Sequence, residues 1–160
     1  MSAEIAVIRL PGDFARWDEL LALIARAFAY MDGVIDPPSS AHRLTAESLR
    51  EKAGTETGFL AMQDGKIVGC IFAAEHVQHF YVGKLAVEPS LQGKKIGRDL
   101  MRAAEALARA AGKPVLELQA RVELTGSQAA FGRLGFVETE RTAHAGYNRP
   151  TSVTMRKTLR

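Results

Sequence analysis

The stretch LAVEPSLQGKKIGRDLM, residues 85–101, decides how this 160-residue chain is interpreted. An apolar run ends at Val87, and after a proline a glycine-containing turn leads into a segment with helical apolar spacing. The N–H groups of residues 92–98 open that helix without intrahelical partners. Such groups bind anions with the help of the helix dipole, and Gly93 and Gly97 let a ligand approach the backbone. The stretch therefore predicts a strand, a turn and a helix whose N-terminus binds a phosphate-bearing ligand, although a plain strand–turn–helix with solvated lysines remains an alternative.

Positive charge is concentrated around this stretch. The net charge of the chain is +3, yet residues 81–113 hold seven bases and only three acids. Residues 88–112 contain no aromatic side chain on which bases could stack, which favours a small anionic ligand over a nucleic acid. The sequence has neither a Walker loop nor a G-x-G-x-x-G after a strand, which disfavours ATP and NAD.

The composition restricts the class of protein. With 47% hydrophobic and 24% charged residues, residues 1–160 are expected to form one domain. No apolar window is long enough to span a membrane, and MSAEIAVIRL mixes acid and base too closely for a signal peptide, so we expect a cytoplasmic protein without membrane contacts. A single cysteine, Cys70, and four scattered histidines predict no disulfide framework and no metal site.

Periodicity predicts the element order β-α-α-β-β-β-α-β-α-β-β. Asp64-Gly65 between two apolar runs predicts a tight hairpin, and the alternation of residues 115–124 predicts a strand with one buried face. The expected helix signals are Asp13 as the cap of the first helix and Gly33 as its end, Thr45 as the cap of the second, and Thr125 with Gln128 as a capping box of the last.

These features resemble the GNAT superfamily of acetyl-CoA-dependent N-acetyltransferases. The family signature Q/R-x-x-G-x-G/A is similar to residues 92–97, QGKKIG, which follow Leu85-Ala86-Val87 and Pro89. The later F/Y-x-x-x-G-F segment is similar to residues 131–136. The resemblance covers most of the chain and implies an α/β (α+β) fold with a mixed, mostly antiparallel sheet flanked by helices.

The resemblance also implies a site for acetyl-CoA. The residues expected to bind it are Leu85, Val87, Gln92, Gly93, Lys94, Lys95, Ile96, Gly97, Arg98 and Phe131. Two of them depart from the family pattern. Lys95 stands at a family glycine, and Phe131 stands where many members have a tyrosine that protonates the leaving thiolate.

The implied reaction is direct attack of a primary amine, on a small molecule or a protein, on the acetyl carbonyl. Tyr81 and Tyr147 are the candidate catalytic residues, with an aromatic core position and a plain turn as their respective alternatives. His76, His79 and His144 are further candidate bases, with a surface or capping position as the alternative. Two other functions remain open: a non-catalytic CoA-binding or sensing module, and a nucleic-acid binder. A homodimer is also left open.

Overall fold

A seven-stranded sheet forms the centre of the described structure, a computed structural model that covers residues 4–160. The strand order is β1-β2-β3-β4-β5-β7-β6, and all neighbours are antiparallel except β4 and β5. The strands are β1 Ala6–Arg9, β2 Thr57–Gln63, β3 Lys66–Glu75, β4 His79–Val87, β5 Val115–Arg121, β6 Val137–Thr142 and β7 Ser152–Thr158. This mixed, mostly antiparallel sheet confirms the predicted fold class.

Four α-helices accompany the sheet within the described residues. They are α1 Trp17–Phe28, α2 Ala46–Thr55, α3 Ile96–Ala110 and α4 Thr125–Arg133. Short 3-10 turns occur at Ala29–Met31, Ser40–Arg43 and Pro89–Leu91. Leaving these turns aside, the element order agrees with the predicted one. The domain boundary predicted at residue 1 lies outside the described residues.

Two apolar clusters hold the helices on opposite faces of the sheet. On one face α3 buries Ile96, Leu100 and Ala104 against strand residues that include Leu116 and Leu118. On the other face α1 and α2 bury their apolar residues against β2, β3 and β4. Because side chains alternate along a strand, β2, β3 and β4 contribute residues to both clusters.

A bulge in β4 separates the two ends of that strand. Gly83 and Ala86 pair with Phe72 and Cys70, so β4 has one residue more than β3 between these pairs. Lys84 lies in this bulge with a φ of 52°, in the left-handed region. The Cys70 thiol donates to the Lys84 carbonyl at 3.3 Å and accepts from the Ala86 amide. Burial raises the pKa of this thiol to about 12, so it stays a neutral donor that fixes the bulge.

The hairpin and the cap of α2 are confirmed. Asp64 and Gly65 both have positive φ, 51° and 75°, as the predicted two-residue turn requires. The Thr45 hydroxyl accepts from the Ser48 amide at 3.0 Å, and the Ser48 hydroxyl accepts from the Thr45 amide at 2.9 Å. This reciprocal pair is a complete capping box.

The predicted ends of α1 are wrong. The helix starts at Trp17 without a side-chain cap, so Asp13 does not cap it. It also ends at Phe28 rather than at Gly33, because the chain tightens into a 3-10 turn whose Asp32 amide donates to the Ala29 carbonyl at 3.1 Å.

The capping box predicted for α4 is also wrong. Thr125 is the first helical residue, and the Gln128 side chain donates instead to the carbonyls of Arg121 and Val122, at 2.9 and 3.2 Å. These bonds help to end β5 at Arg121, three residues before the predicted end. The apolar–polar alternation continues to residue 124, because side-chain alternation carries no information on where backbone pairing between strands ends.

No helix between residues 4 and 160 combines the length and apolarity needed to cross a membrane. In the same range, no group of three or more histidine, cysteine or acidic side chains could hold a metal ion.

The start of α3 depends on an unusual residue. Lys95 precedes the helix with φ 65° and ψ 17°, a left-handed conformation that costs a residue with a Cβ about 1–2 kcal/mol. Glycine avoids this cost but loses about 0.5–1 kcal/mol of backbone entropy on folding. A glycine here, as in the signature that the sequence resembles, would adopt this conformation without the Cβ cost.

We predict that Lys95→Gly stabilises the fold by up to about 1 kcal/mol. Lys95→Ala should give no such gain, because it removes the ammonium and keeps the Cβ. Lys94→Gly is the matched control, since Lys94 is exposed without a positive φ, and it should lower stability. Urea denaturation measures all three, and a Lys95→Gly protein as destabilised as Lys94→Gly would contradict the left-handed start of α3.

Candidate active site

Unpartnered amides line the turn before α3. The Gln92 amide bonds to the Pro89 carbonyl at 3.4 Å, and the Lys94 amide bonds to the Leu91 carbonyl at 3.3 Å. The other five amides of the stretch, those of Gly93 and residues 95–98, have no backbone acceptor within the described chain. The prediction of seven free N–H groups therefore holds for five, because the 3-10 turn satisfies two.

The side chains of the turn leave these amides accessible. Residues 92–95 are exposed, whereas Ile96 is 1% exposed and packs in the core, so only its backbone can meet a ligand. A Cβ added at Gly97 would lie 3.8 Å from Val87 Cγ2, which is an ordinary contact. Protein packing therefore does not require glycine at position 97.

A basic hollow of about 270 Å³ lies beside the start of α3. Its charged lining residues are Arg98, Arg102, Glu105, Arg133 and Lys157. Glu105 pairs with Lys157 and, at 3.4 Å, with Arg109 outside the lining, and Arg98 pairs with Asp99 at 3.2 Å. Within residues 4–160, Arg102 and Arg133 have no carboxylate within ion-pair distance. The hollow thus extends the positive field of the helix N-terminus to α4 and β7.

A gap opens between β4 and β5 next to this helix. The two strands pair in parallel only at residues 79–81 with residues 115–117, although both continue beyond these pairs. Leu85 and Val87 lie on the diverging part of β4 and pack partly buried against the α3-side core. The backbone of β4 therefore has an unpaired edge along this gap.

Tyr81 lies at the point where the strands diverge. Its hydroxyl accepts a hydrogen bond from the Gln119 amide across the gap. Its pKa is raised, first by burial and then by the carboxylates of Glu117 and Glu56. The phenol therefore stays protonated at neutral pH and faces the side of the sheet opposite α3.

The segment between α1 and α2 covers this side of the gap. Lys84 Nζ donates to Ser40 Oγ at 2.7 Å, and Arg121 donates to the carbonyls of Pro37 and Pro38 at 2.7 and 3.1 Å. These contacts hold residues 37–40, which we call the cover segment, over the ends of β4 and β5.

Tyr147 is anchored at the edge of the same segment. It lies in the loop between β6 and β7, and its hydroxyl donates to Asp36 Oδ1 at 2.6 Å. The Arg149 guanidinium bonds to the other oxygen of that carboxylate at 3.1 Å. The hydrogen bond to Asp36 raises the pKa of Tyr147, so this phenol is also protonated at neutral pH.

Phe131 and the candidate bases His79 and His144 make contacts that stabilise the fold. Phe131 packs edge-on against Phe136 with ring centroids 6.1 Å apart, at the border of the α3-side core. Burial, followed for His144 by the charges of Arg121 and Arg43, lowers the pKa of His79 and His144, so both are neutral at pH 7. His144 hydrogen-bonds to Thr151, and His79 stacks on His76, which gives both rings a structural role.

The fold brings five further basic residues to the site. Lys84 and Arg102 belong to the basic stretch at residues 81–113, whereas the sequence did not single out the other three. Lys84 and Arg121 reach the cover segment, whereas Arg102, Arg133 and Lys157 reach the basic hollow. Arg133 and Lys157 lie far from the signature in sequence, and no local pattern marks them. Gly83, directly before Lys84, is the local sequence feature that indicates irregular backbone in this part of β4.

Comparisons with known proteins agree with this geometry. The model of the acetyltransferase (GNAT) family matches residues 17–136. An IAA acetyltransferase of Azospirillum brasilense is 32% identical over 76% of this chain and 78% of its own length. The N-alpha-acetyltransferase MAK3 of Arabidopsis thaliana is 34% identical over 54% of the chain, and the match spans 47% of that relative's length. The chain thus spans about half of the Arabidopsis protein.

The fold is also that of solved N-acetyltransferases. The PaiA N-acetyltransferase of Thermoplasma acidophilum, crystallised in complex with coenzyme A, superposes with a TM-score of 0.76 at 17% identity, covering 98% of this chain and 99% of its own. The sheet, the free N-terminus of α3 and the match of the family model over three quarters of the chain lead to one assignment. The chain belongs to the GNAT family, the acetyl-CoA-dependent acetyltransferases.

Proposed function

We propose that this chain transfers the acetyl group of acetyl-CoA to a primary amine at the gap between β4 and β5. The observation that carries the proposal is the row of five free amides at the start of α3, directly beside the unpaired edge of β4. A helix N-terminus binds phosphate, and an unpaired strand edge binds an extended amide-containing chain. Coenzyme A contains both groups in one molecule.

Each part of the donor then has its own contact. The pyrophosphate lies on the amides of Gly93 and residues 95–98, with Gln92, Lys94 and Arg98 around it. The pantetheine arm bonds to the backbone of Leu85 and Val87, and Phe131 packs against it from α4. The arginines of the basic hollow supply the remaining positive charge.

The transfer itself needs no covalent enzyme intermediate. The amine nitrogen attacks the thioester carbonyl carbon, the C–N bond forms and the C–S bond breaks. The nitrogen loses one proton, and the departing sulfur of CoA gains one. A backbone amide near Val87 polarises the carbonyl. Cys70 has no part in the reaction, because its thiol is buried and neutral.

Tyr81 is the better placed of the two candidate acids. It lies in the gap with its proton retained, whereas the Tyr147 hydroxyl already donates to Asp36. Phe131 has no proton to give. We therefore propose Tyr81 as the group that donates to the sulfur or orders a water there, and Tyr147 as a group that holds the cover segment over the acceptor.

One observation favours a second candidate function. Phe131, which has no hydroxyl to protonate the leaving thiolate, is compatible with a CoA-binding or sensing module that catalyses nothing. Acetyl transfer to any amine excludes it.

The setting of the protein also remains a proposal. A cytoplasmic location and the lack of nucleic-acid partners are inferred from the sequence, the latter from the missing aromatic residues beside the basic stretch. A homodimer stays open.

We predict that Gly97→Val weakens CoA binding about tenfold or more, about 1.4 kcal/mol, because a branched side chain at this position meets the phosphates. Gly97→Ala should bind within a few-fold of wild type, since the family signature admits alanine there. Isothermal titration of CoA into the folded variants gives the dissociation constants.

Gly54→Val is the matched control for this pair. Gly54 lies in α2, and an added Cβ there meets nothing within 4 Å, so CoA affinity should not change. Normal CoA binding by Gly97→Val would place the pyrophosphate elsewhere and overturn the proposed donor site.

We predict that Tyr81→Phe lowers kcat about 100-fold while the KM for acetyl-CoA stays near the wild-type value, because only a proton donor is lost. Tyr147→Phe should act mainly on the acceptor KM. Phe131→Tyr should keep or raise kcat by offering a second donor. A thiol-release assay on an identified amine measures all three, and an unchanged kcat in Tyr81→Phe would exclude Tyr81 as the acid.

A further inference from the structure

The charged groups on the acceptor side of the gap are not evenly paired. Leu116 and Leu118 face the α3 side, so by alternation Glu117, Gln119 and Arg121 face the opposite side, under the cover segment. Lys84 reaches the same region through its contact with Ser40. This face, rather than the α3 face, is the one an acceptor would approach.

Most of the acids near this face have a basic partner. Glu117 pairs with Arg156 at 2.7 Å, Glu56 with Lys52 at 2.7 Å, and Asp36 with Arg149 at 3.1 Å. The exception is Glu123, whose Oε2 accepts from the Asp36 amide at 3.1 Å and whose buried Oε1 has no partner among the described residues.

Three bases on this face have no acidic partner. Lys84 is bonded to a hydroxyl, Arg121 to two backbone carbonyls, and none of Lys84, Arg121 and Arg43 has a carboxylate within 4 Å in residues 4–160. These three bases form what we call the acceptor-side cation cluster.

The charges of Arg43 and Arg121 act on Lys84. Burial lowers the pKa of Lys84, and the charges of Lys52, Arg43 and Arg121 lower it further, with Glu56 alone acting in the opposite direction. Lys84 and Arg121 are half-buried, whereas Arg43 is exposed. Positive charges that repel one another are stabilised when an anion binds among them. The hydrogen bonds to the Pro37 and Pro38 carbonyls fix the orientation of the Arg121 guanidinium.

We propose that the acceptor-side cation cluster binds a carboxylate of the acceptor, so that the substrate is a primary amine that also carries a carboxylate. This rests on the proposed function and adds a substrate class to it. The cluster would repel polyamines and aminoglycosides, whose several ammonium groups would lie beside Lys84, Arg43 and Arg121. Charge-assisted bonds to a carboxylate are stronger than neutral ones, and a site built for them discriminates against acceptors that lack the group.

The test uses matched acceptors that differ only in the carboxylate. The common amino acids and β-alanine are compared with their amides, and with spermidine and kanamycin, in a thiol-release assay at saturating acetyl-CoA. The wild-type kcat/KM should be about 100-fold or more higher for the acids than for the amides, and lowest for the polycations.

Charge variants of Lys84 show whether the cluster causes the preference. Lys84→Met should reduce the acid-over-amide preference at least about tenfold, through the acceptor KM, with the KM for acetyl-CoA unchanged. Lys84→Glu should shift the preference toward cationic amines, and melting curves establish that both variants are folded. Lys66→Met is the matched control, because Lys66 is exposed at the hairpin, and it should keep the wild-type preference.

The outcomes separate this inference from the proposed function. Equal turnover of acids and amides, or an undiminished preference in folded Lys84→Met and Lys84→Glu, would overturn the carboxylate site and leave acetyl transfer intact. If no acceptor of any charge consumed acetyl-CoA, the proposed acetyl transfer would fail, and this inference would fail with it.

Discussion

Past Tyr81 and Glu117 the backbones of β4 and β5 lose their pairing, and the proposed chemistry depends on the gap that this creates. A continuous parallel ladder would satisfy every backbone group along β4 and leave no edge for a ligand. The bulge at Lys84, fixed by the Cys70 thiol, lies in the free part of β4 and changes the direction of the chain just before Leu85 and Val87. The turn into α3 follows within a few residues, so the free strand edge and the free helix N-terminus become parts of one site.

The two faces of this gap differ in how they use positive charge. On the α3 side, backbone amides and the arginines of the basic hollow suit the phosphates of a nucleotide-containing donor. On the opposite side, Lys84 and Arg121 of the acceptor-side cation cluster are held under residues 37–40 by hydrogen bonds to uncharged oxygen atoms. Tyr81 lies at the end of the paired ladder and faces the acceptor side. Donor and acceptor can therefore approach from opposite faces of one sheet, with the proton donor where they meet.

Local sequence predicted the features that depend on local physics. The Asp64-Gly65 turn, the Thr45 cap and the strand–turn–helix at residues 85–101 each follow from a short-range pattern, and each is present in the structure. Sequence could not predict the left-handed Lys95 or Lys84, because lysine carries no signal for that conformation. The sequence also could not predict that Arg133 and Lys157 lie beside α3, or that residues 37–40 contact Arg121. These contacts arise from tertiary packing. The capping box predicted for α4 is wrong for the same reason, because the Gln128 side chain donates to backbone carbonyls at the end of β5.

The central claim is that the free amides before α3 receive the phosphates of the donor. Two-dimensional ¹H–¹⁵N NMR of the uniformly labelled protein, titrated with CoA and separately with dephospho-CoA and pantetheine, tests it residue by residue. The account predicts large downfield shifts of the amide resonances of Gly93 and residues 95–98 with CoA and dephospho-CoA, and none with pantetheine, which lacks the pyrophosphate. Unshifted amides in this stretch at saturating CoA, or equal shifts with pantetheine, would contradict it.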